Sequence, residues 1–233
     1  MAKAPRPGFC KTRLVPPLSP AQAASLSTAF LRDITENLRS AAETIPIVPY
    51  VAYAPAGTAA SFNGILAAGT NLVLADGSIA APPDVPGFGR CLLHAVQSLF
   101  ARGHNSVCVL NSDSPTLPTG YLRQAAAWLA EPEDRVVMGP ADDGGYYLLG
   151  MKRTHAPLFA DISWSTPHVA AETRGRALQA GIELLELPPW YDVDDAASLQ
   201  RLQFELSGPS QAGYAAPNTA AWLASVALGV AAE

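Results

Sequence analysis

The chain has 233 residues, 49% hydrophobic and 15% charged, which suits one domain with a sizeable core. Its 15 Lys and Arg against 20 Asp and Glu leave a net charge of −5, which argues against a general nucleic-acid binder needing a broad basic face. Cys10, Cys91 and Cys108 are scattered without a C-x-x-C pair, and the four histidines form no H-E-x-x-H, so neither a disulfide framework nor a zinc motif is indicated.

In chain order, the first feature is the basic loop "KAPRPGFCKTRLVPPL" (3–18), which packs Lys3, Arg6, Lys11 and Arg13 among Pro5, Pro7, Gly8, Pro16 and Pro17. It is not a P-loop: one glycine stands where two are required, and Pro16-Pro17 forbid a helix starting at Lys11-Thr12. One reading is a solvated basic surface with no ligand. The sharper reading is a loop that wraps the phosphates of a nucleotide, with Lys and Arg supplying charge and Gly8 letting the backbone approach. As exposed loop cations, Lys11 and Arg13 are expected to contribute little to folding.

Ser19-Pro20-Ala21-Gln22 is a capping box with proline at the first helical position, followed by Ala23, Leu26, Phe30, Ile34 and Leu38 at helical spacing. "IPIVPYVAYA" (45–54) reads as a strand made irregular by Pro49, and "NLVLA" (71–75) as a second. Leu92, Leu93, Val96, Leu99 and Phe100 mark a helix that stops at Gly103. "SVCVL" (106–110) reads as a strand buried on both faces. A helix at 119–130, strands at 135–140 and 146–150, a helix from about Ser165–Pro167, a strand at 182–188 and helices at 194–206 and 217–231 complete the chain. Strands alternating with helices predict a three-layer α/β/α fold with a largely parallel mixed sheet. The expected domain spans 1–206, with 207–233 a linker and short helix packed on it. "AAWLASVALGVAA" (220–232) falls short of the roughly 20 residues that span a bilayer. The N-terminus has no signal-peptide pattern, so a cytoplasmic protein with neither membrane nor nucleic-acid partners is expected.

Ligands of open α/β sheets bind at the carboxyl ends of strands. There "SVCVLNSDSPTLP" runs into Asp113, and "IELLELPPWYDVDDAASL" runs into Asp192 and Asp194 just before a helix. Carboxylates on neighbouring strand ends can hold Mg²⁺ or Mn²⁺ with a phosphate ligand. The alternative is that Asp113 and Asp194 form a turn or cap a helix, which explains Asp113 poorly because it emerges from the most buried strand. Asp195 reads as a cap. Asp142, Asp143, Gly144 and Gly145 form a turn between strands, and Trp164 stands beside Ser165 and Thr166 at a helix start.

Together "KAPRPGFCKTRL", "NSDSPTLP", "GPADDGGYYLLG", "ISWSTPHV" and "YDVDDAASL" resemble a bacterial family of the nucleotide-diphospho-sugar transferase (GT-A) superfamily, labelled glycosyltransferases, some associated with arsenosugar biosynthesis. The resemblance runs from about residue 3 to residue 206. It implies a metal-dependent glycosyltransferase with a nucleotide-sugar donor and a small-molecule acceptor. Lys3, Pro7, Gly8, Lys11, Arg13 and Asp113 would bind the nucleotide. Asp113, Asp192 and Asp194 would hold Mg²⁺ or Mn²⁺. Asp142, Gly144, Gly145, Tyr146, Trp164, Ser165 and Thr166 would line the substrate side, and Lys11, Asp113 and Asp143 would act in catalysis. The first position of the superfamily's D-x-D is Asn111 here. "CKTRL", "DSPTLP" and "DGGYYLL" are also similar to 2-phospholactate guanylyltransferases, so nucleotidyl transfer is the alternative, and a non-catalytic nucleotide-binding protein a second. Members of the resembled family place a hydrophobic strand before the basic loop. Here the loop begins at residue 3, and the expectation is that this central strand is absent or lies upstream of Met1.

Overall fold

Ser19 accepts from the Gln22 amide and the Gln22 side chain accepts from the Ser19 amide, which closes the expected capping box and starts α1 (Pro20–Ala42). The computed structural model describes residues 1–208 and 213–226. Its other helices are α2 (Gly87–Phe100), α3 (Thr119–Ala130), α4 (Val169–Gln179), α5 (Ala196–Ser207) and α6 (Pro217–Ser225). The expected end of the last helix, beyond 226, lies outside the described residues. The strands are β1 (Ala2–Lys3), β2 (Tyr50–Ala54), β3 (Asn71–Leu74), β4 (Val107–Leu110), β5 (Arg135–Pro140), β6 (Tyr146–Met151) and β7 (Glu183–Glu186).

β1, β2 and β3 pair in parallel in that order, and a second sheet runs β4-β6-β5-β7. β6 is antiparallel to both neighbours, and β5 and β7 are parallel. Alternation along β5 shows the layering: Val136 and Met138 join a core with Leu93 and Val96 of α2 and Ala170 of α4. Val137 joins Ala41 of α1 and Leu122 and Leu129 of α3 on the opposite face. This is the three-layer α/β/α arrangement with a mixed sheet that the alternating pattern predicts.

Three boundaries differ from expectation. β2 starts at Tyr50 rather than 45, because Pro46 and Pro49 have no N–H for a ladder, although the Pro49 carbonyl still accepts from Asn71 N at 3.0 Å. α4 starts at Val169, since Ser165 has φ 64 and the Thr166 hydroxyl donates back to Ser163 O at 2.7 Å, both of which hold the preceding residues in a turn. A strand does precede the basic loop, but β1 is only two residues long.

α6 is held on α1 by Asp33, which is fully buried and accepts from Asn218 N at 3.0 Å and Thr219 N at 2.7 Å in the first turn of α6. Among the described residues no helix is long and apolar enough to cross a membrane.

Candidate functional site

The loops that follow β4 and β7 are stitched to each other. Ser114 Oγ donates to Tyr191 O at 2.9 Å, Val193 N to Asp113 O at 2.9 Å, and Thr116 Oγ1 to the Tyr191 hydroxyl at 3.2 Å. The Tyr191 hydroxyl in turn donates to Glu205 of α5, and Arg201 lies 3.9 Å over the Tyr191 ring. From α1, the buried Asn37 donates to Leu117 O at 2.7 Å and accepts from Thr119 Oγ1 at 2.6 Å. These bonds fix Asp113 and Asp194, 81 positions apart in the chain, on one edge of the sheet.

Lys11 joins them. Its Nζ lies 2.6 Å from Asp113 Oδ1 and 3.1 Å from Asp194 Oδ1, and donates to Val193 O at 2.6 Å, which uses all three donors of the ammonium. The charge also sits 5.2 Å from the centre of the Phe30 ring. Leu14 and Leu18, buried in a cluster with Phe30 and Val193, anchor the loop that delivers it. With its side chain only 5% exposed, Lys11 is not the exposed loop cation expected from its setting. The cause is the carboxylate pair, which draws it inward. Lys3, Pro7 and Gly8 are exposed, and Arg6 donates to Ser61 Oγ at 3.1 Å. Arg13, 69% exposed, holds NH1 3.9 Å from Asp194 Oδ2 and remains open to solvent and ligand.

Asp192 completes an acidic surround. Burial, and then the charges of Asp143, Asp194 and Asp113, push its carboxyl up to about 7. Among the described residues no group of three or more His, Cys, Asp and Glu is arranged to hold a metal ion, and the Lys11 ammonium spans the position between Asp113 and Asp194. Asp192 is therefore not gathered with the other two into a three-carboxylate set. The two hard oxygen donors that remain still suit Mg²⁺ or Mn²⁺, for which one or two carboxylates suffice when phosphate oxygens complete the shell.

The β5–β6 turn supplies the remaining candidates. Asp143 Oδ1 accepts from Gly145 N at 2.8 Å, while Asp142 Oδ2 pairs with Arg201 NH1 at 2.7 Å instead of joining Lys11. Gly144 has φ +91, and a Cβ there would stand 2.1 Å from Pro167 O, so only glycine lets the 162–168 segment pack on the turn. That segment brings Trp164 edge-on to Tyr146 (6.4 Å between centroids) and to Phe88 (5.5 Å). The Tyr146 hydroxyl and Trp164 Nε1 are buried without hydrogen-bond partners among the described residues, and burial pushes the Tyr146 phenol far up. The Thr166 hydroxyl is spent on the turn, and Ser165 is exposed beside it.

Sequence reasoning missed Phe30, Ser114, Tyr191 and Phe88. The glycines flanking Phe88 were a usable signal for the last, since a Cβ on Gly89 would lie 2.8 Å from Trp164 Nε1. A cavity of about 690 Å³ lies between β2 and β4, not centred on this cluster, and reaches it at Asn111 and Ser112.

A solved structure from Desulfovibrio desulfuricans G20, described as a "putative nucleotide-diphospho-sugar transferase", is similar to the chain, with a TM-score of 0.79 and 28% identity over 96% of this chain and 91% of that one. No curated protein matches. Residues 37–166, more than half of the chain, match the family described as "Uncharacterized protein conserved in bacteria (DUF2064)", and the chain belongs to that family.

Proposed function

We propose that the chain is a transferase that binds a nucleotide-diphosphate sugar at the carboxyl edge of its sheet and passes the sugar to a small acceptor. The observation that carries this reading is the convergence of Lys11, Asp113 and Asp194 from three separate segments, in a fold similar to that of a protein described as a "putative nucleotide-diphospho-sugar transferase". In such a transfer the bond between the anomeric carbon and the diphosphate oxygen breaks, and its electron pair leaves with the nucleotide. Arg13, open to ligand, and Lys11, released in part from its carboxylates, stabilise that charge as it develops. A divalent ion, when bound, would be held by Asp113 and Asp194 and would supply further positive charge at the diphosphate. Asp143 accepts the proton of the acceptor hydroxyl as the new glycosidic bond forms, and Trp164 and Tyr146 give the sugar an aromatic wall.

The test is a thermal-shift screen of UDP-, GDP- and TDP-sugars and of GTP and CTP, each with and without Mn²⁺. Stabilisation by a nucleotide sugar supports glycosyl transfer, and stabilisation by a triphosphate alone moves the reading to nucleotidyl transfer. A protein indifferent to all of them does not use this edge as a nucleotide site.

A further inference from the structure

Three oxygens from two loops converge on one point of the sheet edge. Asp113 Oδ1 comes from the loop after β4, and Val193 O and Asp194 Oδ1 from the loop after β7; they lie 2.6, 2.6 and 3.1 Å from Lys11 Nζ. Val193 N donates to Asp113 O at 2.9 Å, which holds the two loops at a fixed spacing. Two carboxylates and a backbone carbonyl are hard oxygen donors of the kind that divalent ions take. Yet the point where they meet is filled by an ammonium whose side chain is only 5% exposed. An ion drawing the same oxygens to about 2.1 Å would overlap that nitrogen, so ion and ammonium exclude each other.

The loop is built so that the ammonium can leave while the backbone stays. Lys11 lies in the left-handed region, with φ 50 and ψ 37, a strained conformation for a residue other than glycine. Leu14 and Leu18, buried in one cluster with Phe30, anchor the chain beyond it whatever the side chain does. Two carboxylates against one ammonium leave the point net negative, so a diphosphate arriving alone is repelled. An ion arriving alone takes both carboxylates from Lys11 and strands the ammonium without an anion. A diphosphate with its ion brings both things the exchange needs: oxygens to complete the shell of the ion and an anion for the displaced ammonium.

We propose that Lys11 is the resident cation of this edge, and that the ligand of the edge is the complex of a divalent ion with a diphosphate, which exchanges with the ammonium as one species. Neither part loads well alone, and each raises the affinity for the other by the same factor. Naming a nucleotide as the carrier of the diphosphate rests on the reading under Proposed function, whereas the exclusion of an ion by Lys11 rests on the geometry alone.

The first test titrates Mn²⁺ alone, without nucleotide, into wild type, Lys11→Met and Arg13→Ala by calorimetry. Lys11→Met is expected to bind the ion about tenfold more tightly than wild type or better. Arg13→Ala is expected to stay within about threefold of wild type, because that exposed side chain does not fill the point. Equal affinity in wild type and Lys11→Met, or an equal gain in both variants, overturns the exchange. The second test needs only wild type and follows its lysine ammonium groups by heteronuclear NMR. The chain has three lysines; Lys3 is exposed, Lys152 donates to Glu131 O, and Lys11, bonded to three acceptors, should give the most slowly exchanging signal. That signal is expected to persist with Mg²⁺ alone and with inorganic diphosphate, UDP, GDP or TDP alone, and to shift or vanish when Mg²⁺ and a diphosphate are both present. A signal unmoved by Mg²⁺ with every one of these diphosphates overturns the proposal, and so does one lost to Mg²⁺ alone. Exchange driven by inorganic diphosphate and by no nucleotide supports the resident cation and overturns the nucleotide reading. Should Lys11→Met fail to fold, the wild-type spectra decide the matter.

Discussion

Val137 and Val51 are both buried strand valines, yet their surroundings differ. Val137 pairs with Gly150 on one side and Leu185 on the other. Val51 pairs with Leu72 and faces the cavity on its other edge. The half of the sheet built on β4 to β7 is knit on both edges of its inner strands and carries the carboxylates. The half built on β1 to β3 carries the cationic loop. Lys11 to Asp113 and Asp194, with the Met1 amine to Leu110, tie one to the other. Lys11, proposed above to meet the nucleotide, thus also serves as a clasp between the halves, and the effects of substitution should reflect both duties.

The largest effect should follow from cutting the clasp. Lys11→Met leaves Asp113 and Asp194 facing each other with Asp192 close by. Breaking a fully buried pair costs about 3 to 5 kcal/mol. Because Asp113 and Asp194 are 31% and 39% exposed, solvent screening reduces this to about 2 kcal/mol. That corresponds to a Tm lower by about 4 to 8 °C, read in urea and thermal unfolding. Adding Asp113→Asn should recover part of the loss, and a Tm unchanged by Lys11→Met would show that the clasp carries nothing.

A second substitution acts wholly within the knit half. Gly144→Ala forces a Cβ to 2.1 Å from Pro167 O at φ +91. Backbone strain and the lost packing should together cost about 1 to 3 kcal/mol. Weakened nucleotide-sugar binding should accompany the loss, because Trp164 moves with the 162–168 segment. Wild-type stability in that variant would mean that the turn relaxes freely.

How much of this was legible beforehand follows the range of the forces involved. The capping box at Ser19, the helix at 119–130 and the strands at 106–110 and 135–140 are written in local chemistry, and the structure places them there to within one residue. Asp113 and Asp194 could be assigned to strand ends because strands announce their own limits. The inward turn of Lys11 could not, because it depends on two carboxylates more than a hundred residues away and on the leucines that anchor its loop. The pairing of Asp142 with Arg201 on α5 was hidden for the same reason.

A smaller effect comes from Asp192. Its carboxyl rises from 3.8 to about 7, so between those values the folded protein keeps a proton that the unfolded chain has released. Its contribution therefore makes stability fall as pH rises from about 4 to about 7, with the penalty complete above that. Asp192→Asn should remove this slope. The variant should melt a few degrees above wild type at pH 8 and level with it at pH 4. Parallel melting curves across that range would show that the acidic surround is already neutralised.

Arg13→Ala should have the smallest effect on folding, within about 0.5 kcal/mol, because the side chain is exposed and its ion pair with Asp194 is long. Its consequence belongs to binding, which calorimetry reads separately from melting.

The central claim, that the Lys11–Asp113–Asp194 edge receives a nucleotide diphosphate, is tested most directly by calorimetric titration with UDP, GDP and TDP in the presence and absence of Mn²⁺. Wild type, Arg13→Ala and Asp113→Asn are compared. The account predicts that wild type binds at least one nucleotide more tightly with Mn²⁺, that Arg13→Ala binds it more weakly, and that Asp113→Asn loses the Mn²⁺ dependence while remaining folded. Equal affinities in all three proteins, or binding by none of them, would contradict it.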